Sequence, residues 1–285
     1  MKGFIFLALI AAASAVQYDP SDFFIKELSV PENPEEFFKN YQKSLIIEKQ
    51  REPRISNGFN ATDGQFPYAI RASFFETTGD TFVCSGVIIS ERFMLTVRHC
   101  FDVELTYRVM AVVGAADRFS DDIVSRFSER FWFAPQIDGW NPDLAVCEMS
   151  EPFPFSSRIG AVRLPSRSQQ GYEFAGYPFH LIGWGKIATG EMAQILQFAY
   201  FRIETNCWNN RRPTHMCSEP IDGWHVETRG GDSGGPWVIM ENGVPTLIAL
   251  TEGSTGSAAR WWFRGTRLTS FLDFISSVSG ITIRP

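Results

Sequence analysis

One short stretch contains the residue types that acyl transfer requires. Residues 231–236 read Gly-Asp-Ser-Gly-Gly-Pro. A serine hydroxyl is a poor nucleophile in water, so it needs a base beside it and N–H donors directed at the developing oxyanion. Glycines on both sides of the Asp-Ser pair allow a sharp turn, and the oxyanion donors would then be the N–H groups of Gly231 and Ser233. Asp232 cannot be the base, because adjacent residues do not point at each other, and it therefore needs a separate role.

The base and the residue that orients it should lie upstream, where strands end in turns. The apolar run 93–97 leads into Arg98, His99 and Cys100, and a second apolar run begins at Asp143. A histidine can accept the serine proton, and an acid can hold the imidazole in position. His99 and Asp143 are therefore the candidates for these two roles.

These blocks resemble those of the trypsin- and chymotrypsin-like serine proteases. That family carries Leu-Thr-Ala-Ala-His-Cys, then Asp-Ile-Ala-Leu, then Gly-Asp-Ser-Gly-Gly-Pro, in the chain order His, Asp, Ser. The resemblance covers residues 55–285. It implies a serine endopeptidase in which Ser233 attacks the peptide carbonyl, His99 transfers the proton and Asp143 orients the imidazole.

Composition and charge exclude some kinds of partner. The chain has 285 residues, of which 44% are hydrophobic, so it is long enough to form one or two domains with a sizeable core. It has 26 basic and 32 acidic residues, which gives a net charge of -6. Without a basic run, we expect neither nucleic acid nor a membrane as partner.

The N-terminus has the pattern of a secretory signal. The apolar run 4–13 follows Lys2, and Ala13-Ser14-Ala15 fits a small-residue cleavage site. The run is too short to span a bilayer. Residues 1–15 are therefore predicted to be a signal peptide, and the protein is expected to be secreted into an oxidising, extracellular environment.

Residues 16–54 differ in composition from the rest and read as a linker or pro-segment. Asn33-Pro34-Glu35-Glu36 predicts a helix start, with a cap, a proline and acids in the first turn. One face of this helix would carry Phe37, Phe38, Tyr41 and Leu45. This apolar stripe either docks on the body of the protein or belongs to a marginal helix in a removable tail.

Arg54-Ile55-Ser56-Asn57-Gly58 resembles the activation site of the same family. The resemblance implies cleavage after Arg54 by an activating trypsin-like protease, which releases residues 55–285 as the protease domain. The new α-amino group of Ile55 would then pair with Asp232, and this pairing would give Asp232 its role.

From residue 81 onward, closely spaced strands dominate. The strands are predicted at 81–89, 92–97, 109–113, 124–133, 143–149, 180–184, 194–203, 237–240 and 246–251, with a hairpin turn at Asn242-Gly243. Such spacing predicts an all-β fold, either barrels or a sandwich. The resemblance selects two six-stranded antiparallel barrels, with His99 and Asp143 from the first and Ser233 from the second. Apolar residues at 268, 271, 272 and 275 predict an amphipathic C-terminal helix.

The chain contains five cysteines. The resemblance implies one disulfide between Cys84 and Cys100 and another between Cys207 and Cys217. Cys147 has no obvious partner, and within its strand we expect it to be a buried free thiol.

The chain departs from the family in the substrate pocket. Glu227, six positions before the nucleophile, would lie at the base of the pocket. Thr251-Glu252-Gly253 stands where Ser-Trp-Gly is usual, so that Thr251 could reach Asp143 and Glu252 would replace an apolar wall. The acids at 227 and 252 predict that acidic side chains are disfavoured at the cleaved position, with a lean towards large or basic ones. Residues 261–263 fall near the usual back wall of the pocket and could narrow it.

Other departures leave a second class of function open. Arg98 replaces a small alanine and must find a partner, while Arg229 replaces a cysteine whose disulfide partner is also missing. A protease-fold binding or regulatory protein that has lost turnover is therefore the alternative, although all three triad residues are kept. We expect a peptide or protein substrate, no metal or other cofactor, and a monomer.

Overall fold

The computed structural model describes residues 19–46, 58–205, 213–221, 228–257 and 260–285. The predicted signal peptide, Arg54, Ile55, Cys207 and Glu227 lie outside these ranges. None of the described helices is long and apolar enough to cross a bilayer.

The first barrel is closed by six antiparallel strands. Their bounds are β3 Ala69–Glu76, β4 Thr81–Ile88, β5 Phe93–Thr96, β6 Thr106–Val113, β7 Val124–Phe133 and β8 Ala145–Met149. They follow the order β7-β6-β3-β4-β5-β8, and β8 returns to β7. A seventh strand, β1 at Phe24–Glu27, adds to the outer edge of β7.

The second barrel repeats this arrangement. Its strands are β9 Pro178–Gly183, β10 Gln197–Glu204, β11 His215–Pro220, β12 Pro236–Glu241, β13 Val244–Ser257 and β14 Arg260–Arg267, with the short β2 at Phe59–Asn60 beside β10. Their order is β11-β14-β13-β12-β9-β10, and β10 closes on β11. Asn242 and Gly243 adopt positive φ angles of 52° and 77° in the predicted hairpin turn.

Helical structure is confined to two helices and four short 3₁₀ turns among the described residues. The helices are α1 Pro34–Ile46 and α2 Leu272–Ser279, and the 3₁₀ turns lie at Pro20–Phe23, Arg98–Cys100, Arg167–Gln169 and Leu268–Ser270. The prediction of two six-stranded barrels with a C-terminal helix is confirmed. The helix begins at Leu272, later than the predicted apolar positions suggested, because residues 268–270 form a 3₁₀ turn.

The core explains why these strands close. One apolar cluster contains residues from both barrels and from α2, whose Leu272, Phe274 and Ile275 are fully buried. Each such side chain contributes about 1.5–3 kcal/mol by leaving water. A second cluster around Trp237 and Phe179, whose rings stack at 4.5 Å, fills the second barrel.

The predicted strand set was incomplete. It omitted β1, β2, β3, β11 and β14, began β6 three residues late, began β10 three residues early and ended β13 six residues early. β3 does alternate apolar and polar residues along 70–74, but all eight of its residues are buried, the polar Arg71 and Ser73 included, so both faces of the strand are covered.

The N-terminal segment packs on the first barrel. α1 begins as predicted, with the Glu36 N–H donating to the Asn33 side chain at 3.1 Å. The Phe37 ring lies 5.3 Å from that of Phe75 and 5.5 Å from that of Phe127. Of the two interpretations of this helix, the structure therefore shows the docked one.

The cysteines follow the expected pattern where they are described. Cys84 and Cys100 form a disulfide, and Cys147 is a buried free thiol. Burial raises the pKa of the Cys147 thiol to about 12, so the group stays protonated and unreactive. Cys217 is disulfide-bonded. Its pairing with Cys207 stays a prediction, because Cys207 lies outside the described ranges.

Candidate active site

His99 and Asp143 are brought together by the pairing of two strands. In the antiparallel pair of β5 and β8, Thr96 lies opposite Ala145, so the end of β5 meets the start of β8. His99 follows Thr96 by three residues and Asp143 precedes Ala145 by two. The His99 Nδ1 lies 2.5 Å from the Asp143 Oδ2, and the His99 backbone N–H donates to the other carboxylate oxygen at 2.8 Å.

This contact sets the tautomer and basicity of the imidazole. Burial lowers the pKa of His99, but the hydrogen bond and the charge of Asp143 raise it, and the net shift is upward. With Nδ1–H donated to Asp143, the neutral ring leaves Nε2 as its acceptor. The His99 side chain is 44% exposed and so is open to a reacting group.

Two neighbouring contacts hold the histidine turn. The Cys84–Cys100 disulfide ties it to β4. The Arg98 guanidinium lies 4.5 Å from the centre of the Phe133 ring, and this contact supplies the partner that an arginine at this position requires.

The serine turn is fastened to the same strand. The Ser85 N–H donates to the Ser233 carbonyl at 2.7 Å, and the Ser85 hydroxyl donates to the Gly231 carbonyl at 2.9 Å. Ser85 directly follows Cys84, whose disulfide holds Cys100 beside His99. Two consecutive residues of β4 therefore fasten the turn that carries His99 and the turn that carries Ser233. Sequence reasoning missed Ser85, since it lies in no recognised motif.

The serine turn needs its glycines. Gly231 and Gly234 have φ angles of 103° and 81°, which glycine adopts without steric cost. A Cβ on Gly234 would overlap the carbonyl oxygen of Ser85 and crowd the hydroxyl of Thr96. The close packing of β4 on this turn therefore excludes any side chain at position 234.

We expect Gly234→Ala to reduce the free energy of unfolding by about 3 kcal/mol or more, because positive φ strain and overlap act together. Thermal unfolding followed by circular dichroism measures the change. Gly243→Ala is the matched control, because Gly243 has a similar φ of 77° and open space around it. The control should cost about 1–2 kcal/mol, and equal losses in the two variants would contradict the overlap.

The turn also presents two N–H donors. Within the described part of the chain, the N–H groups of Gly231 and Ser233 donate to no acceptor, whereas the intervening Asp232 N–H donates to the Arg229 carbonyl at 3.0 Å. Ser233 is partly exposed. The two N–H groups can therefore bind an oxyanion beside the serine hydroxyl.

Asp232 points away from solvent and is 1% exposed. Its carboxylate accepts the N–H groups of Gly185 at 2.8 Å and Arg229 at 3.0 Å. Burial raises its pKa to about 6, although these two hydrogen bonds act in the opposite direction. Within the described ranges the carboxylate contacts no cation, so its charged form is only partly compensated.

The hydroxyl of Thr251 is used inside the second barrel. It donates to the Gly235 carbonyl at 3.0 Å and accepts the Trp237 indole N–H at 3.0 Å. Its proton is therefore not available to Asp143, and the expectation that Thr251 reaches Asp143 is wrong for this structure. The Thr266 hydroxyl, which sequence reasoning missed, lies 2.9 Å from the backbone carbonyl of Asp143 instead.

Glu252 does not form a free acidic wall in the pocket. Its side chain is 4% exposed and lies 2.5 Å from Arg264, 3.2 Å from His215 and 2.8 Å from the Thr266 hydroxyl. Burial raises the pKa of Glu252 to about 7, against the opposing effect of Arg264. The expectation that Glu252 repels acidic substrates from the pocket therefore loses its basis, because its charge is buried and paired. Arg264 lies on β14, which pairs with β13 and places the guanidinium beside Glu252. A prediction of this strand pair from the sequence would therefore have indicated the ion pair.

We expect Glu252→Gln to shift the acidic limb of the pH profile of kcat/KM to lower pH. The negative charge of Glu252 is one of the causes that raise the pKa of His99. Removing this charge lowers the His99 pKa, so the neutral base persists at lower pH. The profile with a peptide substrate measures this shift, and Glu151→Gln, at a 64% exposed side chain, is the control. An unmoved limb would contradict the coupling.

The remaining pocket residues are only partly described. Gly253 is partly exposed with open space where a side chain would be, so a substrate could approach its backbone. Phe263 packs in the core of the second barrel, 4.9 Å from the Phe201 ring, and does not narrow a pocket. Glu227 lies outside the described residues.

Nothing in the described ranges resembles a metal site. No group of three His, Cys, Asp or Glu side chains in these ranges could hold a metal ion. Asp122, which follows Asp117 and Asp121 in one loop, pairs with Arg158 at 2.8 Å.

Two closed six-stranded barrels that carry a paired histidine and aspartate and a glycine-rich serine turn define a class of protein. The chain belongs to the trypsin family, because the family model described as Trypsin matches residues 55–275.

Individual relatives are more distant. The chain is 26% identical over 251 residues to a collagenase from Hypoderma lineatum, which covers 85% of this chain and 93% of that protein. It is 24% identical to chymotrypsin-C from Mus musculus, over 78% of this chain and 87% of the relative. It is also 26% identical to chymotrypsin-like elastase family member 1 from Bos taurus, over 70% and 78%. The solved structure of HL collagenase has the same fold, with a TM-score of 0.67 at 24% identity, and covers 80% of this chain and 100% of that chain.

Proposed function

We propose that this protein is a secreted serine endopeptidase that becomes active after cleavage following Arg54. Ser233 attacks the peptide carbonyl, His99 takes and returns the proton, Asp143 orients the imidazole, and the N–H groups of Gly231 and Ser233 bind the oxyanion. The observation that carries the proposal is the His99–Asp143 contact at 2.5 Å beside a serine turn that β4 fastens to it.

The mechanism follows from these contacts. The Asp143 carboxylate accepts Nδ1–H, so Nε2 can remove the Ser233 proton as the Oγ–carbonyl bond forms. The tetrahedral oxyanion is held by the two N–H donors, and His99 then protonates the leaving amine as the C–N bond breaks. Water attacks the acyl-enzyme by the same route and regenerates Ser233.

The substrate is a peptide or protein. The preference against acidic side chains at the cleaved position now rests on Glu227 alone, because Glu252 is paired with Arg264. The names of the relatives include a collagenase and a chymotrypsin-like elastase. These names agree with a peptide or protein substrate.

The alternative is a binding or regulatory protein without turnover. It is favoured by Glu252, because this buried acid lies close enough to Asp143 for the two negative charges to repel each other. One experiment separates the two proposals. Residues 16–285 are cut with an immobilised trypsin-like enzyme, the Ile55 N-terminus is verified by sequencing, and the enzyme is removed. The product is then incubated with casein and, separately, with a fluorophosphonate probe.

For an endopeptidase we expect new casein termini by mass spectrometry and a label on Ser233. A correctly processed and folded protein that gives neither would support the binding protein instead.

A further inference from the structure

The N-terminal segment 24–38 packs against the first barrel, and its strand β1 extends the sheet of that barrel as a seventh strand. β7 pairs with β6 along residues 124–128, and beyond that point its outer edge is taken by β1, with Glu27 opposite Arg130 and Phe24 opposite Trp132. The pairing continues past β1, since the Leu28 N–H donates to the Glu129 carbonyl at 2.7 Å. The segment thus satisfies backbone groups of β7 that would otherwise form a bare edge.

Side chains of the segment enter the core. Leu28 is 6% exposed and belongs to the same apolar cluster as Phe101 and Val97. Further along, Phe37 and Phe38 cover a separate apolar patch formed by Phe75, Met110, Val112 and Phe127. The Arg108 guanidinium lies 4.6 Å from the centre of the Phe37 ring. Removal of the segment would expose both this patch and part of the barrel core.

The same segment contacts the chain just beyond the catalytic histidine. The Lys26 ammonium donates to the Val103 carbonyl at 3.0 Å, and the Ser29 N–H donates to the Tyr107 carbonyl at 2.8 Å. These residues follow Cys100, which neighbours His99. The segment therefore supports the loop that leads away from His99.

These contacts join residues upstream of Arg54 to residues downstream of it, and none of them involves the Arg54–Ile55 bond, so a cut at that bond would break none of them. The five cysteines all lie beyond residue 83, so no disulfide can tie the segment to the body after a cut. We infer that the segment remains bound after activation, held by strand pairing, further hydrogen bonds and apolar packing without a covalent link, so that the active enzyme is a non-covalent complex of two chains. This inference takes the proposed cleavage after Arg54 as the natural cut.

The test separates retention from the proposed function. Residues 49–54 are replaced by the recognition sequence of a site-specific viral protease in a chain that also carries Ser233→Ala, so that neither natural processing nor self-cleavage enters the result. After cutting, the protein is passed through a size-exclusion column and examined by native mass spectrometry. We expect the N-terminal fragment to co-elute with the body and to separate from it in urea.

A second measurement reports the two-chain state directly. Because folding of the cut protein couples to association, its Tm should rise with protein concentration, whereas the Tm of the uncut chain should not. Phe37→Ala together with Phe38→Ala should increase the released fraction at least tenfold. Lys39→Ala, at an exposed position of the same helix, is the matched control.

The outcomes decide the inference. Release of the fragment from the cut protein under native conditions would overturn it, whatever the state of the body. Equal retention in the Phe37/Phe38 variant and the Lys39 variant would show that the apolar patch is not what holds α1, and would overturn that part of the inference.

Discussion

Replacing Ser233 by alanine should lower the kcat of the processed protein by a factor of about 10⁴–10⁶. The size of the effect follows from the arrangement of the site. The His99–Asp143 contact has no catalytic use without a hydroxyl to activate, and the two N–H donors would retain only the small rate advantage of binding the oxyanion.

The measurement is hydrolysis of a peptide substrate together with fluorophosphonate labelling. Ser157→Ala, at an exposed serine, is the control and should keep full rate and label. The activating enzyme is itself a serine protease, so it must be immobilised and removed before the assay. A Ser233→Ala protein that retains wild-type turnover after this step would exclude Ser233 as the nucleophile.

The triad candidates could be predicted because their chemistry leaves short local patterns. A nucleophilic serine needs glycines on either side, and a base and its orienter need strand ends, so all three blocks are visible in the sequence. The positive φ of Gly231 and Gly234 in the structure agrees with that reasoning. The barrel architecture followed from the resemblance, since strand spacing alone left a sandwich open.

Other features could not be predicted, because they depend on contacts between distant segments. Ser85 is unremarkable in sequence, yet it fastens the serine turn through two hydrogen bonds across 146 residues or more. The hydroxyl of Thr251 was expected near Asp143, but the indole of Trp237 and the carbonyl of Gly235 bind it. Glu252 was expected to face substrate, but the neighbouring strand supplies Arg264.

Asp232 is the residue whose burial makes activation by cleavage physically reasonable. Burial raises its pKa in this chain to about 6 from an ordinary 3.8. A raised carboxyl pKa stabilises the folded chain below pH 3.8, and this stabilisation is lost as the pH rises through 6. The loss is on the order of 3 kcal/mol. At neutral pH the inward carboxylate therefore weakens the turn that presents the oxyanion donors, unless a cation pairs with it.

Cleavage after Arg54 would provide that cation as the α-ammonium of Ile55. Pairing should raise the pKa of this amine above its reference of about 7.7–8.0. The stabilisation of the active turn is then fully present below the reference value and is lost as the pH rises through the raised one. We therefore expect activity to fall again at alkaline pH in the cut protein.

Arg54→Gln should leave the bond before Ile55 uncut and lower the activity at neutral pH by about 10²–10³-fold, the effect of losing an ordered oxyanion donor. The chain is expressed without its first 15 residues, treated with the immobilised enzyme, and followed by N-terminal sequencing and peptide hydrolysis. Arg51→Gln is the matched control, because it removes a neighbouring arginine and keeps the Arg54–Ile55 bond; it should be cut and become active. The uncut chain should also lose thermal stability between pH 4 and pH 6 more steeply than the cut one, because only the latter gives Asp232 an ammonium partner. Full activity in Arg54→Gln protein that sequencing shows to be uncut would rule out the Ile55–Asp232 pair as the activating event.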